Sequence, residues 1–326
     1  MYLMFFILLI ISILITINSQ NWLGMWMGME INLMMFIPIL FKLNNKKSAQ
    51  SMMLYFLNQS IGSITLLTFL LLNSFFEMSP SLTWGLINNN MMMISLILKM
   101  GAAPFHFWLP QMMNFMEWME MFLLMTLQKI APLFVISNLK INWIIYMSII
   151  MSAIVGAIGG MNTTSLRKIM AYSSINHLSW MLLLTFNHLQ WWKYLIIYSM
   201  INLSMCMLFY SHKVYTINQM MNNMPSMTSK YLYASMFLSM GGLPPFLGFM
   251  PKWIVIQSTI DNNNIIIIST MIMMSIITLF YYMRLISYMM MNFSTNSKWF
   301  KVYNNKYIYM TYINMTLPIY MIMNLI

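Results

Sequence analysis

Apolar runs of about twenty residues follow one another along this chain with only short polar gaps, and about twenty helical residues are what it takes to cross the ~30 Å hydrocarbon layer of a bilayer. Such windows fall at 1–19, 22–41, 48–72, 88–110, 118–139, 142–161, 167–186, 190–211, 230–260, 264–290 and 306–325. In lipid every backbone N–H and C=O must find its partner inside the protein, so these runs read as helices. The expected fold class is all-α, a polytopic transmembrane protein of about eleven helices. The ninth window is too long for one unbroken helix.

A water-soluble alternative fails on charge. Hydrophobic residues make up 60 % of the 326 and charged residues 6 %, with a mean hydropathy of +0.72; a soluble domain carries about 25 % charged residues. The net charge of +11 comes from 16 basic and 5 acidic residues. The bases do not gather into a patch with aromatics between them, which argues against a nucleic-acid partner. They mark topology instead. Lys42, Lys46, Lys47, Arg167, Lys168, Lys213, Lys230, Arg284, Lys298, Lys301 and Lys306 lie in loops after even-numbered windows, and only Lys140 and Lys193 lie after odd ones. By the positive-inside rule the N-terminus shares the positive side, and an odd number of spans puts the C-terminus opposite.

Cys206 is the single cysteine and sits in an apolar run, so no internal disulfide, zinc site or iron–sulfur cluster is expected. The 46 methionines, with much Ile, Asn, Phe and Tyr, read as translation of an AT-rich genome. They pack as Leu or Ile would. Met1–Asn18 has no basic n-region and no small-residue cleavage site, and is expected to be a retained span made in the organelle that uses it.

Four charges fall deep within the spans, away from their ends: Glu30 in the second, Lys99 in the fourth, Lys129 in the fifth and Lys252 in the ninth. Each costs roughly 2.5–3.5 kcal/mol at the bilayer centre, about 10–14 together. Snorkelling suits lysines near helix ends, whereas Lys99 and Lys129 stand mid-span, and one structural ion pair would leave two lysines over. One carboxylate with three lysines suits proton transfer, because making or breaking a buried Glu–Lys pair changes which group holds the proton. His177 lies among Ser173, Ser174, Asn176 and Ser179, a polar stripe that could carry water, and reads equally as a relay or as a satisfied core histidine. His106, seven residues after Lys99, would share its face only if Pro104 left the helix intact, and is the weaker candidate.

Two spans carry clustered helix breakers: ILKMGAAPFHFWLP in the fourth and SMGGLPPFLGFMPKW in the ninth. They stand fourth in the series 1–5 and fourth in 6–10. An odd offset makes the two copies upside down relative to each other, and paired breaks in an inverted repeat point to an ion path. The expected division is 1–139, 140–290 and a final 291–326. Gly24/Gly28 and Ser152/Gly156/Gly160 are spaced for close helix contact. GAIGG lacks the spacing of a dinucleotide loop, and no Walker loop or metal-ligand cluster appears.

GMEIN, LKMGAAPFHFWLP, LQKIAP, GGMNTTSLRKIMAYSSINHLSWM and SMGGLPPFLGFMPKW together resemble the subunit-2 family of mitochondrial NADH dehydrogenases, antiporter-like membrane-arm subunits of respiratory complex I. The resemblance runs from about the second to the tenth span. It implies a short animal-type form with two inverted five-helix repeats, Glu30 and Lys99 as the input ion pair, Lys129 as central relay, Lys252 as output lysine and His177 on the connecting axis. It further implies that the positive side is the matrix, that the partners are other membrane-arm subunits and lipids, and that NADH, FMN, iron–sulfur clusters and ubiquinone belong to other chains, with no cofactor here. The alternatives are a structural scaffold of the membrane arm and a free-standing cation/proton antiporter of the same ancestry.

Overall fold

A computed structural model describes residues 2–42, 45–76, 82–140, 142–187, 190–222, 227–261 and 265–291. The first three windows are α1 (Tyr2–Asn18), α2 (Trp22–Leu40) and α3 (Lys46–Phe76). The fourth is a pair, α4 (Leu82–Met100) and α5 (Trp108–Met113), divided at the Gly/Pro cluster. The fifth divides as well, into α6 (Trp118–Met125) and α7 (Leu127–Ser137), which no Gly or Pro had announced. Then come α8 (Trp143–Met161), α9 (Leu166–Phe186), α10 (Trp191–His212) and the short α11 (Ile217–Asn222). The ninth window is α12 (Met227–Gly241) and α13 (Phe249–Asp261), and the tenth is α14 (Ile265–Met291). The expected eleventh span and its preceding lysines lie outside the described residues.

Six stretches among the described residues are long and apolar enough to cross a bilayer: Trp22–Leu40, Lys46–Asn73, Trp118–Ser137, Trp143–Met161, Trp191–His212 and Ile265–Met291. The other expected spans depart for visible reasons. α1 is short, α4 carries Asn88, Asn89, Asn90 and Lys99, the ninth is broken, and α9 carries the polar stripe around His177. The protein is an integral membrane protein.

The described residues form two compact units, 2–152 with 182–187, and 153–181 with 190–291. In the first, α1 packs on α2, α2 on α3, and α3 on α4 and α5, while α7 lies against α1, α2, α4 and α6. Gly28 permits the α1–α2 contact, because a Cβ there would run into the Thr16 side chain. At one end Tyr2 donates its hydroxyl to Phe41 O (3.0 Å), and Lys42 Nζ pairs with Glu117 and Glu120, 2.6 Å each. At the other, Asn89 Nδ2 donates to Lys140 O (2.9 Å) and Asn142 Nδ2 to Asn90 Oδ1 (2.5 Å). The N-terminus and the loops after the second and fourth windows thus share one end, and the loops after the third and fifth share the other, as strict up-and-down threading requires.

In the second unit α12 and α13 both pack on α10 and α14. Gly156 of α8 sits on the α9 backbone, where a Cβ would come within 2.7 Å of Asn176 N, and Gly160 faces the Tyr281 ring of α14 (2.8 Å). The loops after the sixth and eighth windows meet in a β-bridge between Ser165 and Thr216, with the Arg167 guanidinium 4.8 Å above the Tyr215 ring. Alternating threading holds in this unit too.

Candidate functional site

Lys99, Lys129 and Lys252 are buried in protein, each 5 % exposed or less. Snorkelling to headgroups is thereby dismissed. Lys99 lies in the last turn of α4, which closes as a Schellman motif. Gly101 takes φ +70°, Gly101 N donates to Leu98 O (3.1 Å), and Ala102 N donates to Ile97 O (3.2 Å). Gln59 Nε2 caps Lys99 O (2.8 Å) and Trp108 Nε1 caps Leu98 O (3.2 Å). The lysine stem runs past Gly62 of α3, where a Cβ would be 2.8 Å from Lys99 Cγ.

Glu30 receives a long contact from Ser63 Oγ (3.4 Å) at Oε1, and its buried Oε2 has no hydrogen-bond partner among the described residues. No ion pair joins Glu30 to Lys99 among the described residues. Lys129 follows the interruption at Thr126, whose Oγ1 donates to Phe122 O (2.7 Å) while Lys129 N donates to Thr126 O (3.2 Å). Beside it, Gln128 accepts from the Tyr55 hydroxyl (3.0 Å) and donates to Asn32 Oδ1 (2.9 Å).

The break in the second unit is closed in the same way as the first. Gly242 takes φ +76°, Gly242 N donates to Ser239 O (3.1 Å), and Leu243 N donates to Leu238 O (3.2 Å). Gly101, Pro104, Phe105 and Pro110 recur at one constant offset as Gly242, Pro245, Phe246 and Pro251. The lysines stand on opposite sides of their breaks. Lys99 precedes its own, whereas Lys252 follows and reaches back across it, donating from Nζ to Gly241 O (2.7 Å), 6.0 Å from the Trp180 ring centroid.

His177 Nδ1 lies 2.7 Å from the Tyr194 hydroxyl, and its ring is 4.7 Å from that of Tyr198. The serines around it direct their protons inward. Ser173, Ser174 and Ser179 donate to Met170, Ala171 and Asn176 carbonyls of their own helix. His106 does not share a face with Lys99. The helix ends at Met100, and the His106 ring instead sits by Pro104 O (Nδ1 3.1 Å) and on Phe107 (4.1 Å between centroids).

Outside the spans, burial pulls the Lys42 pKa down, but the carboxylates of Glu117 and Glu120 outweigh it and hold the amine above its ordinary 10.5. Those glutamates form a capping box on α6, with Glu117 N donating to Glu120 Oε2 (2.9 Å). Among the described residues no group of three or more His, Cys, Asp or Glu is placed to hold a metal ion.

The family described as NADH:quinone oxidoreductase/Mrp antiporter, TM, matches residues 19–278. NADH-ubiquinone oxidoreductase chain 2 of Anopheles gambiae is 41 % identical over 309 residues, 93 % of this chain and 90 % of the relative. The chain belongs to that family. Chain 2 of Aedes aegypti is 45 % identical over 263 residues, 79 % of this chain and 76 % of its own. A chain of respiratory complex I from Thermus thermophilus with bound aureothin shares the fold with a TM-score of 0.76 at 16 % identity, over 88 % of this chain and 70 % of that one.

What sequence reasoning missed in this chain-2 family member is the neutral polar shell: Asn32, Tyr55, Gln59, Ser63, Gln128 and Tyr194. Asn32 and Gln128 did carry a signal, as amides inside apolar runs next to Glu30 and Lys129. The E-x-x-E spacing of Glu117 and Glu120 likewise fits a helix start.

Proposed function

We propose that the chain is a proton-translocating membrane-arm subunit of the NADH:ubiquinone oxidoreductase of the mitochondrial inner membrane, with its N-terminus on the matrix side and its C-terminus on the intermembrane-space side. The curated relatives' names support the complex. The single observation that carries proton transfer is the burial in protein of three lysines at or beside helix interruptions, where one or two charges decide who keeps a proton. Quinone reduction elsewhere in the complex alters the charge balance of Glu30 and Lys99, and protons pass along Lys99, Lys129, His177 and Lys252. Moving one charge against 100 mV takes about 2.3 kcal/mol, a scale matched by a pKa change of about two units. Residues 1–139 and 140–290 are the two inverted repeats, a reading supported by the twin breaks, and 291–326 is appended. Flavin, iron–sulfur and quinone chemistry reside on partner subunits.

Glu30→Gln in the assembled complex separates pumping from scaffolding. The neutral variant is expected to leave the complex assembled and oxidising NADH while the protons moved per electron fall. A scaffold predicts loss of assembly with that ratio unchanged in whatever complex survives.

A further inference from the structure

Gln128 stands next to Lys129 at the start of α7, and its side-chain amide is engaged at both ends. Tyr55 of α3 donates to Oε1 at 3.0 Å, and Nε2 donates to Asn32 Oδ1 of α2 at 2.9 Å. Tyr55 and Asn32 are 2 % and 4 % exposed. In such an interior, hydrogen bonds in series polarise one another. One outer end, Asn32, belongs to the helix that carries Glu30, and the other, Tyr55, belongs to α3.

The helix that carries Lys129 is not a plain continuation of α6. The backbone turns aside at Thr126 (φ −117°, ψ −76°), and Pro132 has no N–H to give the Gln128 carbonyl. Helical continuity is therefore loosened on both sides of Lys129, and the rotation of α7 is fixed also by its packing against α1, α2, α4 and α6 and by the Gln128 bridge.

We propose that Gln128 is a positioning residue for Lys129, fixing the start of α7 to α2 and α3 through Asn32 and Tyr55. This rests on the proton-transfer reading of Glu30 and Lys129 above. A primary amide suits the task, since it donates and accepts at once and does not compete for the proton. Lys129 is the next residue, so fixing Gln128 fixes the turn of α7 that carries it.

The test uses the intact complex reconstituted in liposomes, with protons per electron measured across pH for Gln128→Met, Tyr55→Phe, the double variant and Lys129→Ala. Methionine keeps the length and removes both bonds. Phenylalanine keeps the Tyr55 ring against Phe36 (5.0 Å between centroids) and removes only the hydroxyl. Both single variants are expected to assemble and oxidise NADH, with the ratio falling to that of Lys129→Ala, and the double variant no lower than Gln128→Met. A merely structural role would lower the yield of complex and leave the ratio alone. Should Gln128→Met fail to assemble, Tyr55→Phe decides by the same readout. If Lys129→Ala lowers the ratio while Tyr55→Phe keeps it at wild type, the positioning role of Gln128 is overturned and the function proposed above stands. If Lys129→Ala itself keeps the ratio, that function falls, and this role with it.

Discussion

At the scale of single residues, the contact most open to a clean test is the 2.7 Å one between His177 Nδ1 and the Tyr194 hydroxyl. A hydroxyl can donate to the neutral ring or accept from the protonated one, so it follows the histidine through both states. Tyr194→Phe removes that adaptable partner without changing the packing. It is expected to cost about 0.5–1.5 kcal/mol of stability, a net buried hydrogen bond, and to lower protons per electron with assembly intact. Tyr198→Phe, which keeps its ring by His177, is the comparison and is expected to leave the ratio unchanged; equal effects of the two would deny Tyr194 a special part. The charged residues were legible from the chain alone because Glu30, Lys99, Lys129 and Lys252 stand out in apolar runs. Their neutral partners were not. Gln128 finds Asn32 96 positions away and Tyr55 73 positions away, and only the fold brings such residues together.

At the scale of elements, glycines decide where the helices can stop. Alanine at Gly101 or Gly242 would hold a left-handed backbone at about 1–2 kcal/mol. Its Cβ would also press on Leu109 in the first case and on Lys252 Nζ in the second, at 2.8 Å each. Gly248→Ala is expected to be worse, because its Cβ would fall on the Ser239 carbonyl, whereas Gly241→Ala meets Leu279 at an ordinary 3.7 Å. The yield of assembled complex should therefore drop for Gly248→Ala and hold for Gly241→Ala; the reverse order would show the α12–α13 turn to be wrongly described. Both Gly/Pro breaks could be read before any coordinates. The interruption at Thr126 could not, since it is made by an ordinary threonine that returns its hydroxyl to Phe122 O.

At the scale of the whole molecule, the loops of each unit are tied within that unit in an up-and-down alternation, and Lys42 is one of the ties in the first. Lys42→Met would strand Glu117 and Glu120 together. With the pair partly open to solvent, the loss is expected to be modest, about 0.2–1 kcal/mol for each ion pair. Because the folded amine is held above 10.5, its contribution is complete below that value and is lost only as the pH climbs through the raised one. The thermal stabilities of wild type and Lys42→Met should thus differ by a constant amount at neutral and mildly alkaline pH and converge beyond it. Convergence already near neutrality would rule the clamp out as described. The claim on which the rest depends is that buried lysines in each unit carry protons. Its most direct measurement counts protons per electron in liposomes holding the assembled complex with Lys129→Ala or Lys252→Ala. The account predicts a lowered count at undiminished assembly for each; a wild-type count in either would contradict it.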